Sequence, residues 1–366
     1  MPEPLKNVYT EEFIQDLAQK LAPLDPGFNR KDFIAKTLSD PWLELELKAR
    51  MSKISDCIHD FLTGDFATNA KVLSSVALQY RQSGSSGFEQ MFLPDYIEKH
   101  GLKHFKVSMK ALAEITETGS AEFAIRPFLI EHESKTLKQM MRWAKSPDEH
   151  LRRLASEGCR PRLPWAMALP AYKQDPTSIL PILDTLKTDT SLYVRRSVAN
   201  NLNDISKDNP ELALDLAYEW RGLSEETDWL VKHACRGLLK AAHPRSLALF
   251  GFAPPDELKL SQFKLSEKNI RFGEPLTLSA KLSSAQPLGL LRVEYGIDFV
   301  KANGSLSRKI FKVSESELQA DSVDIKKTHK FVPISTRVHY SGKHYIALII
   351  NGIELAKRPF HLEMVD

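Results

Sequence analysis

Seventeen residues, His150 to Ala166, read HLRRLASEGCRPRLPWA and set four arginines (Arg152, Arg153, Arg160 and Arg162) around one glutamate, Glu157, and one tryptophan, Trp165. Two chemistries suit that composition. Guanidinium groups bind phosphate oxygens through charge-assisted, often bidentate hydrogen bonds. A carboxylate set among them tends to stay ionised, so it can stabilise developing positive charge or orient a water. A plainer use is also open, because Glu157 follows Arg153 by four residues, the spacing of an ion pair along one helix face. Two more carboxylates invite the same question. Glu122 lies in SAEFAIRPF just ahead of a predicted helix, where the helix dipole favours an acid, and Asp204 lies in YVRRSVANNLNDISKDNP among Asn200, Asn201 and Asn203, where it could cap a helix.

Such side chains need a scaffold to bring them together, and the middle third of the chain repeats itself. Leu151-Arg152-Arg153, Val194-Arg195-Arg196 and Val231-Lys232-His233 recur at intervals of 43 and 37 residues, each inside a helical pattern, with Pro176, Pro181, Pro210 and Pro244 between them. That period predicts HEAT-type helix pairs stacked into a solenoid. If corresponding helices line one face, the doublets, with Arg160, Arg162 and Arg236 nearby, merge into a basic stripe. A single doublet reads more simply as a solvated outer face.

Residues 9 to 80 are also predicted helical, with starts at Thr10 and Asp32. Arg81 to Phe88, RQSGSSGF, has the composition of a surface loop, and DYIEKHGLKHFKVSMKALAEITETGS resumes helical periodicity up to a turn at Gly119. After the connector GFAPPDEL the pattern changes to short β-rich segments, about seven strands, with a hairpin signal at Asn351-Gly352. Size and pattern fit an immunoglobulin-like sandwich without its paired cysteines. The predicted architecture is therefore α then β: a helical solenoid over residues 1–254 and a β-sandwich over 255–366.

Composition narrows the function classes. At 366 residues, 42% hydrophobic and 27% charged, the chain reads as soluble and globular, with neither a leader nor an apolar run long enough to span a membrane, which places it in the cytoplasm. Net charge is +3, split as −1 before Pro255 and +4 from there on, so a basic surface on the first part must arise by clustering. Cys57, Cys159 and Cys235 lack disulfide or zinc spacing and read as reduced thiols. No HExxH, Walker or GxGxxG motif occurs, so neither a metal nor another cofactor is expected. His150 and His233 are assigned no proton-transfer role. In the tail, SRKIFK and KKTHK suit either a DNA backbone or an ordinary solvated sheet edge.

SAEFAIRPF, HLRRLASEGCRPRLPWA, YVRRSVANNLNDISKDNP and WLVKHACRGLL together resemble the AlkC branch of the AlkC/AlkD superfamily, bacterial HEAT-like-repeat DNA glycosylases that excise alkylated bases. The likeness covers most of residues 1–250, and the tail is similar to the immunoglobulin-like domain of one subset of that branch. The resemblance implies that Glu122, Glu157 and Asp204 are the catalytic carboxylates and that Trp165 touches the lesion. It makes the substrate double-stranded DNA carrying cationic N3-alkylated bases such as 3-methyladenine, with 3-methylcytosine a further candidate, hydrolysed by a monomeric enzyme without deep base flipping. Arg152, Arg153, Arg160, Arg162, Arg195, Arg196, Asn200, Asn201, Lys232, His233 and Arg236 are the expected DNA-binding residues. The competing reading is a non-catalytic HEAT scaffold that binds DNA or protein through the same face. Convergence of the three carboxylates separates the two, since a scaffold gives no reason for it.

Overall fold

The structure, a computed structural model, describes residues 4–85, 87–334 and 337–364. Two compact units divide it, Met1–Ala234 and Cys235–Asp366. No helix among the described residues is long and apolar enough to cross a membrane.

The first unit is helical from its start. Helix α1 (Glu11–Leu21) opens where Thr10 accepts the Phe13 amide, and it buries Ile14, Leu17, Ala18 and Leu21 along one stripe. Helix α2 (Arg30–Leu38) starts earlier than expected: Asn29 is the cap, accepting the Asp32 amide and donating to the Asp32 carboxylate, so Asp32 sits inside the first turn. The periodic run that follows is interrupted at Pro41, which cannot continue a helix; a 3₁₀ turn over Trp42–Glu44 precedes α3 (Leu47–Phe61). Helix α4 (Phe66–Gln82), capped by Asp65, ends at the expected loop, of which Ser86 lies outside the described residues. The next predicted helix is two, α5 (Phe92–His100) and α6 (Phe105–Ile115), parted at Gly101. There the Ser108 hydroxyl donates to the Gly101 carbonyl, and a Cβ would meet the Ile97 carbonyl at 2.5 Å.

The repeats follow as α7 (Arg126–Glu131), α8 (Glu133–Trp143), α9 (Glu149–Glu157), α10 (Pro170–Gln174), α11 (Leu180–Leu186), α12 (Leu192–Ile205), α13 (Pro210–Trp220) and α14 (Glu225–Ala234). Prolines open α10, α11 and α13 from the first turn, where a missing N–H costs nothing. Helices α9, α12 and α14 pack side by side in that order, the stacking that the repeat predicts. Fourteen-residue α12 buries nine side chains, Asn201 and Asp204 among them, so the middle layer is covered on most of its circumference.

The second unit begins with α15 (Arg236–Lys240) and α16 (Pro244–Leu249) and continues as a β-sandwich. Strands β1 (Lys259–Leu265), β3 (Pro275–Ser283) and β6 (Ser322–Lys330) form one sheet. The other has the order β2-β8-β7-β4-β5, from β2 (Asn269–Arg271), β4 (Gly289–Val300), β5 (Leu306–Leu318), β7 (Gly342–Ile350) and β8 (Ile353–Glu363). The three-residue β2, paired parallel to β8, is too short to show a period and was not expected. Central β4 turns Leu291, Val293, Tyr295, Ile297 and Phe299 into the apolar core. Its alternate residues Arg292, Glu294 and Asp298 are buried as well: Arg292 pairs with Glu294 and Glu315, and Asp298 with Arg308 and Lys357.

Asn351 and Gly352 join β7 to β8 with φ values of 45° and 82°, the left-handed pair that a two-residue hairpin needs. A Cβ on Gly352 would also lie 2.6 Å from the Ala242 Cβ. Gly352→Ala is therefore expected to destabilise the second unit by about 2 kcal/mol or more, through backbone strain and overpacking together. Chemical denaturation followed by the near-ultraviolet signal of its tyrosines and phenylalanines checks this.

Candidate active site

The three carboxylates come from three different segments. Glu122 lies in the turn before α7, Glu157 is the last residue of α9, and Asp204 lies in the last turn of α12. Two arginines bring them together. Arg153 donates to both Glu122 oxygens, at 3.1 and 3.3 Å, and stands 3.6 Å from Glu157. Arg160 donates from Nη1 to Glu157 at 2.7 Å and from Nε to Asp204 at 2.9 Å. Lys207 closes the row at 3.0 Å from the other Asp204 oxygen. The result is an unbroken alternation of charge: Glu122, Arg153, Glu157, Arg160, Asp204, Lys207. The Arg153–Glu157 pair along one helix face thus exists, as one link of a longer row.

Exposure grades along that row. Glu122 is 9% exposed, Glu157 6% and Asp204 1%, so all three are largely buried and Asp204 is the most enclosed. Burial pulls the Arg153 guanidinium down, but Glu122 and Glu157 outweigh it and hold its pKa above the ordinary value. Arg160 is raised in the same way, burial being outweighed by Glu157 and Asp204. Tyr193 lies under Arg153, its ring centroid 5.0 Å from the guanidinium carbon, with His150 edge-on to the same ring. Ser120 bonds both Glu122 and Arg153, fixing the turn that carries the first carboxylate.

Trp165 is 64% exposed, on the loop that leaves α9, which excludes a core role. Its φ of 67° is a left-handed conformation that tryptophan rarely adopts, so the loop has to be held there. Two residues that the sequence did not single out hold it. Arg126, fully buried at the start of α7, donates to the carbonyls of Gly158, Arg160 and Met167, and burial lowers its pKa to about 10. Lys48, from α3, donates to the Trp165 carbonyl at 2.9 Å and lies over the Phe123 ring. Gly158 lets the loop begin here: a Cβ would sit 2.5 Å from Ile125. Neither Arg126 nor Lys48 carries a local sequence signal, because their partners are backbone carbonyls 32 to 117 residues away.

The expected DNA-binding residues divide. Arg152 acts as a tether within the chain: Nε and Nη2 grip the Asp189 carboxylate, and Nη1 takes the carbonyls of Ser146 and Pro147, six and five residues upstream. Arg195 repeats the device, its Nη1 on the carbonyls of Asp189 and Thr190 at the same offsets. Arg160 is largely buried between the Glu157 and Asp204 carboxylates. Asn201 is fully buried, its amide nitrogen on the Ser156 carbonyl and the Cys159 sulfur. Arg162 is half-exposed in a bidentate pair with Asp208. Arg196 is exposed and has no hydrogen bond or ion pair among the described residues. Asn200 and Lys232 lie on α12 and α14, His233 stacks on Trp229, and Arg236 opens the second unit. The three cysteines are free and buried.

Glu98 of α5 shares the neighbourhood of Lys48 and Arg126. Burial, helped by Asp95 and opposed by both cations and Lys99, pushes its pKa up to about 7. A carboxyl raised on folding is protonated more readily in the native than in the unfolded chain, so native stability declines as pH climbs from about 4.5 to about 7. Glu98→Gln should then raise Tm at pH 8 by about 3 °C or more, the gap closing towards pH 4.5, the ordinary value. Calorimetric scans of both proteins across that range test it.

Comparison with known proteins identifies the family. Residues 116–220, which hold all three carboxylates, match the family "DNA alkylation repair enzyme", and residues 259–364 match "Uncharacterised protein YhaZ, C-terminal Ig-like domain". A Bacillus subtilis protein, "Uncharacterized protein YhaZ", is 40% identical over 349 residues, 95% of this chain and 96% of its own. A solved structure, the Pseudomonas fluorescens alkylpurine DNA glycosylase AlkC bound to DNA containing an abasic site analog, is 38% identical and superposes with a TM-score of 0.94 over 99% of this chain and all of its own. With one helical solenoid, one immunoglobulin-like sandwich and a match to both across their length, the chain belongs to the AlkC branch of the DNA alkylation repair enzymes, in the subset that carries the C-terminal Ig-like domain.

Proposed function

We propose that the protein is a DNA N-glycosylase of base excision repair that hydrolyses the glycosidic bond of cationic N3-alkylated bases, 3-methyladenine first among them, and that it acts on the chromosome in the bacterial cytoplasm. The observation that carries this reading is the row of three carboxylates from three segments, with an exposed tryptophan held in a strained backbone on the loop that also carries Arg160. A base already carrying positive charge needs no general acid to leave. The C1′–N bond breaks with its electron pair going to the base, which departs neutral; the sugar becomes an oxocarbenium-like cation, and water adds at C1′, losing one proton to give an abasic site. What helps is fixed negative charge near the sugar and a base for that proton. Glu122 and Glu157, the two less enclosed, supply it, and Asp204 holds Arg160 and so the Glu157 carboxylate in place. Trp165 offers its face to the cationic lesion at the surface, so the base need not enter a deep pocket. 3-Methylcytosine, also cationic, satisfies the same logic.

Purified protein with methylated duplex, and chromatographic identification of the freed base, tests this reading; a wild-type protein that frees no base ends it. Glu157→Gln should slow single-turnover release by roughly 10²- to 10³-fold while duplex binding persists. Arg196→Ala should weaken binding alike on every DNA sequence and lower the slope of log affinity against log salt by roughly one, as fluorescence anisotropy at several salt concentrations would read.

A further inference from the structure

Helices α6 and α8 do not close on each other. Between them lies an open groove of about 790 Å³, away from the carboxylates. Lys106 and Lys110 stand one turn apart along α6, and Lys135, Lys138 and Arg142 recur along one face of α8. Val107, Met109 and Trp143 form the apolar floor, and no carboxylate is among the lining residues.

A chain of net charge +3 has enough acids to neutralise such a cluster, and elsewhere it does so. Here it does not. Lys106, Lys135 and Lys138 have no hydrogen bond or ion pair among the described residues, Lys110 reaches Glu114 only at 3.7 Å, and Arg142 reaches a neutral amide, Gln139, at 3.4 Å. Glu133, the acid nearest in sequence on α8, interacts instead with Tyr172. Five like charges with one loosely held counter-charge, Glu114, repel one another, a cost that an anionic ligand reduces.

We propose that this groove is a second phosphate track, which takes the backbone of duplex DNA flanking the lesion. The inference rests on the reading of DNA as substrate. Lysines on long stems act as mobile point charges, suited to phosphates whose spacing varies with sequence and bending. Helix α8 packs on α9, whose last residue is Glu157, and a nine-residue helix is only about 13 Å long, under half a turn of duplex. The groove and Glu157 thus belong to adjoining elements, and on the proposal a duplex bound at the carboxylates extends to α8.

The triple variant Lys106→Gln, Lys135→Gln, Lys138→Gln tests it on the full chain, with Lys→Arg at the same positions as the control that keeps charge. Each phosphate contact contributes roughly 0.9 to the salt slope of binding, so the neutral variant should lose roughly two to three from that slope on a long duplex, with affinity near physiological salt down 10-fold or more. The arginine variant should bind like wild type, and release of base at saturating protein should continue. An unaltered slope and affinity in the neutral variant overturns the proposal even if base release is intact. So does loss of binding to polyglutamate with DNA affinity unaltered, which would assign the groove to an acidic protein. Failure of the glycosylase reading shows separately, as absence of released base from wild type.

Discussion

Three carboxylates do not gather in a protein interior unaided, and here two guanidinium groups, Arg153 and Arg160, make the gathering possible. At a few ångströms in a partly buried setting, each pair of like charges would cost several kcal/mol. Interleaving the arginines turns those repulsions into Glu122–Arg153, Glu157–Arg160 and Arg160–Asp204 attractions, and Lys207 brings the row to neutrality. Arginine suits the place because its planar fork bonds two carboxylates in different directions while staying ionised. The same interaction ties three helical layers together, so the row is at once part of the packing and the candidate reaction centre.

The row also orders its members. Asp204 has partners on both oxygens and almost no surface, whereas Glu122 and Glu157 are less enclosed. Beside them the Trp165 loop is fixed by donors aimed at its carbonyls, not by side-chain packing. Backbone clamps leave the indole itself unencumbered, which is what a residue meant to meet something outside the protein needs.

Much of this was legible in the sequence where the signal was local or periodic. The helix start at Thr10, the Asn351-Gly352 hairpin and the change from helical to strand periodicity near residue 255 depend on neighbours within a few residues. The three carboxylates stood out by their local setting, but their joint role was implied only by family resemblance, and their meeting depends on contacts 31 and 44 residues apart in the chain, which local patterns do not encode. The arginine doublets carry a second meaning that the sequence did not reveal. Arg152 and Arg195 each fasten the turn that precedes their helix, and a repeated fastening has the same spacing as a repeated binding contact. Lys48 and Arg126 left no trace, since a carbonyl acceptor is available at every residue.

That fastening has a mechanical side. Arg152 runs from the carbonyls of Ser146 and Pro147 to the Asp189 carboxylate, and the Asp189 carbonyl is in turn gripped by Arg195. Two successive turns are thereby stitched along one rim of the helical stack. A seam of short ionic and hydrogen-bonded stitches resists stretching, so any flexing of these layers must pivot about it, and compliance belongs to the opposite rim.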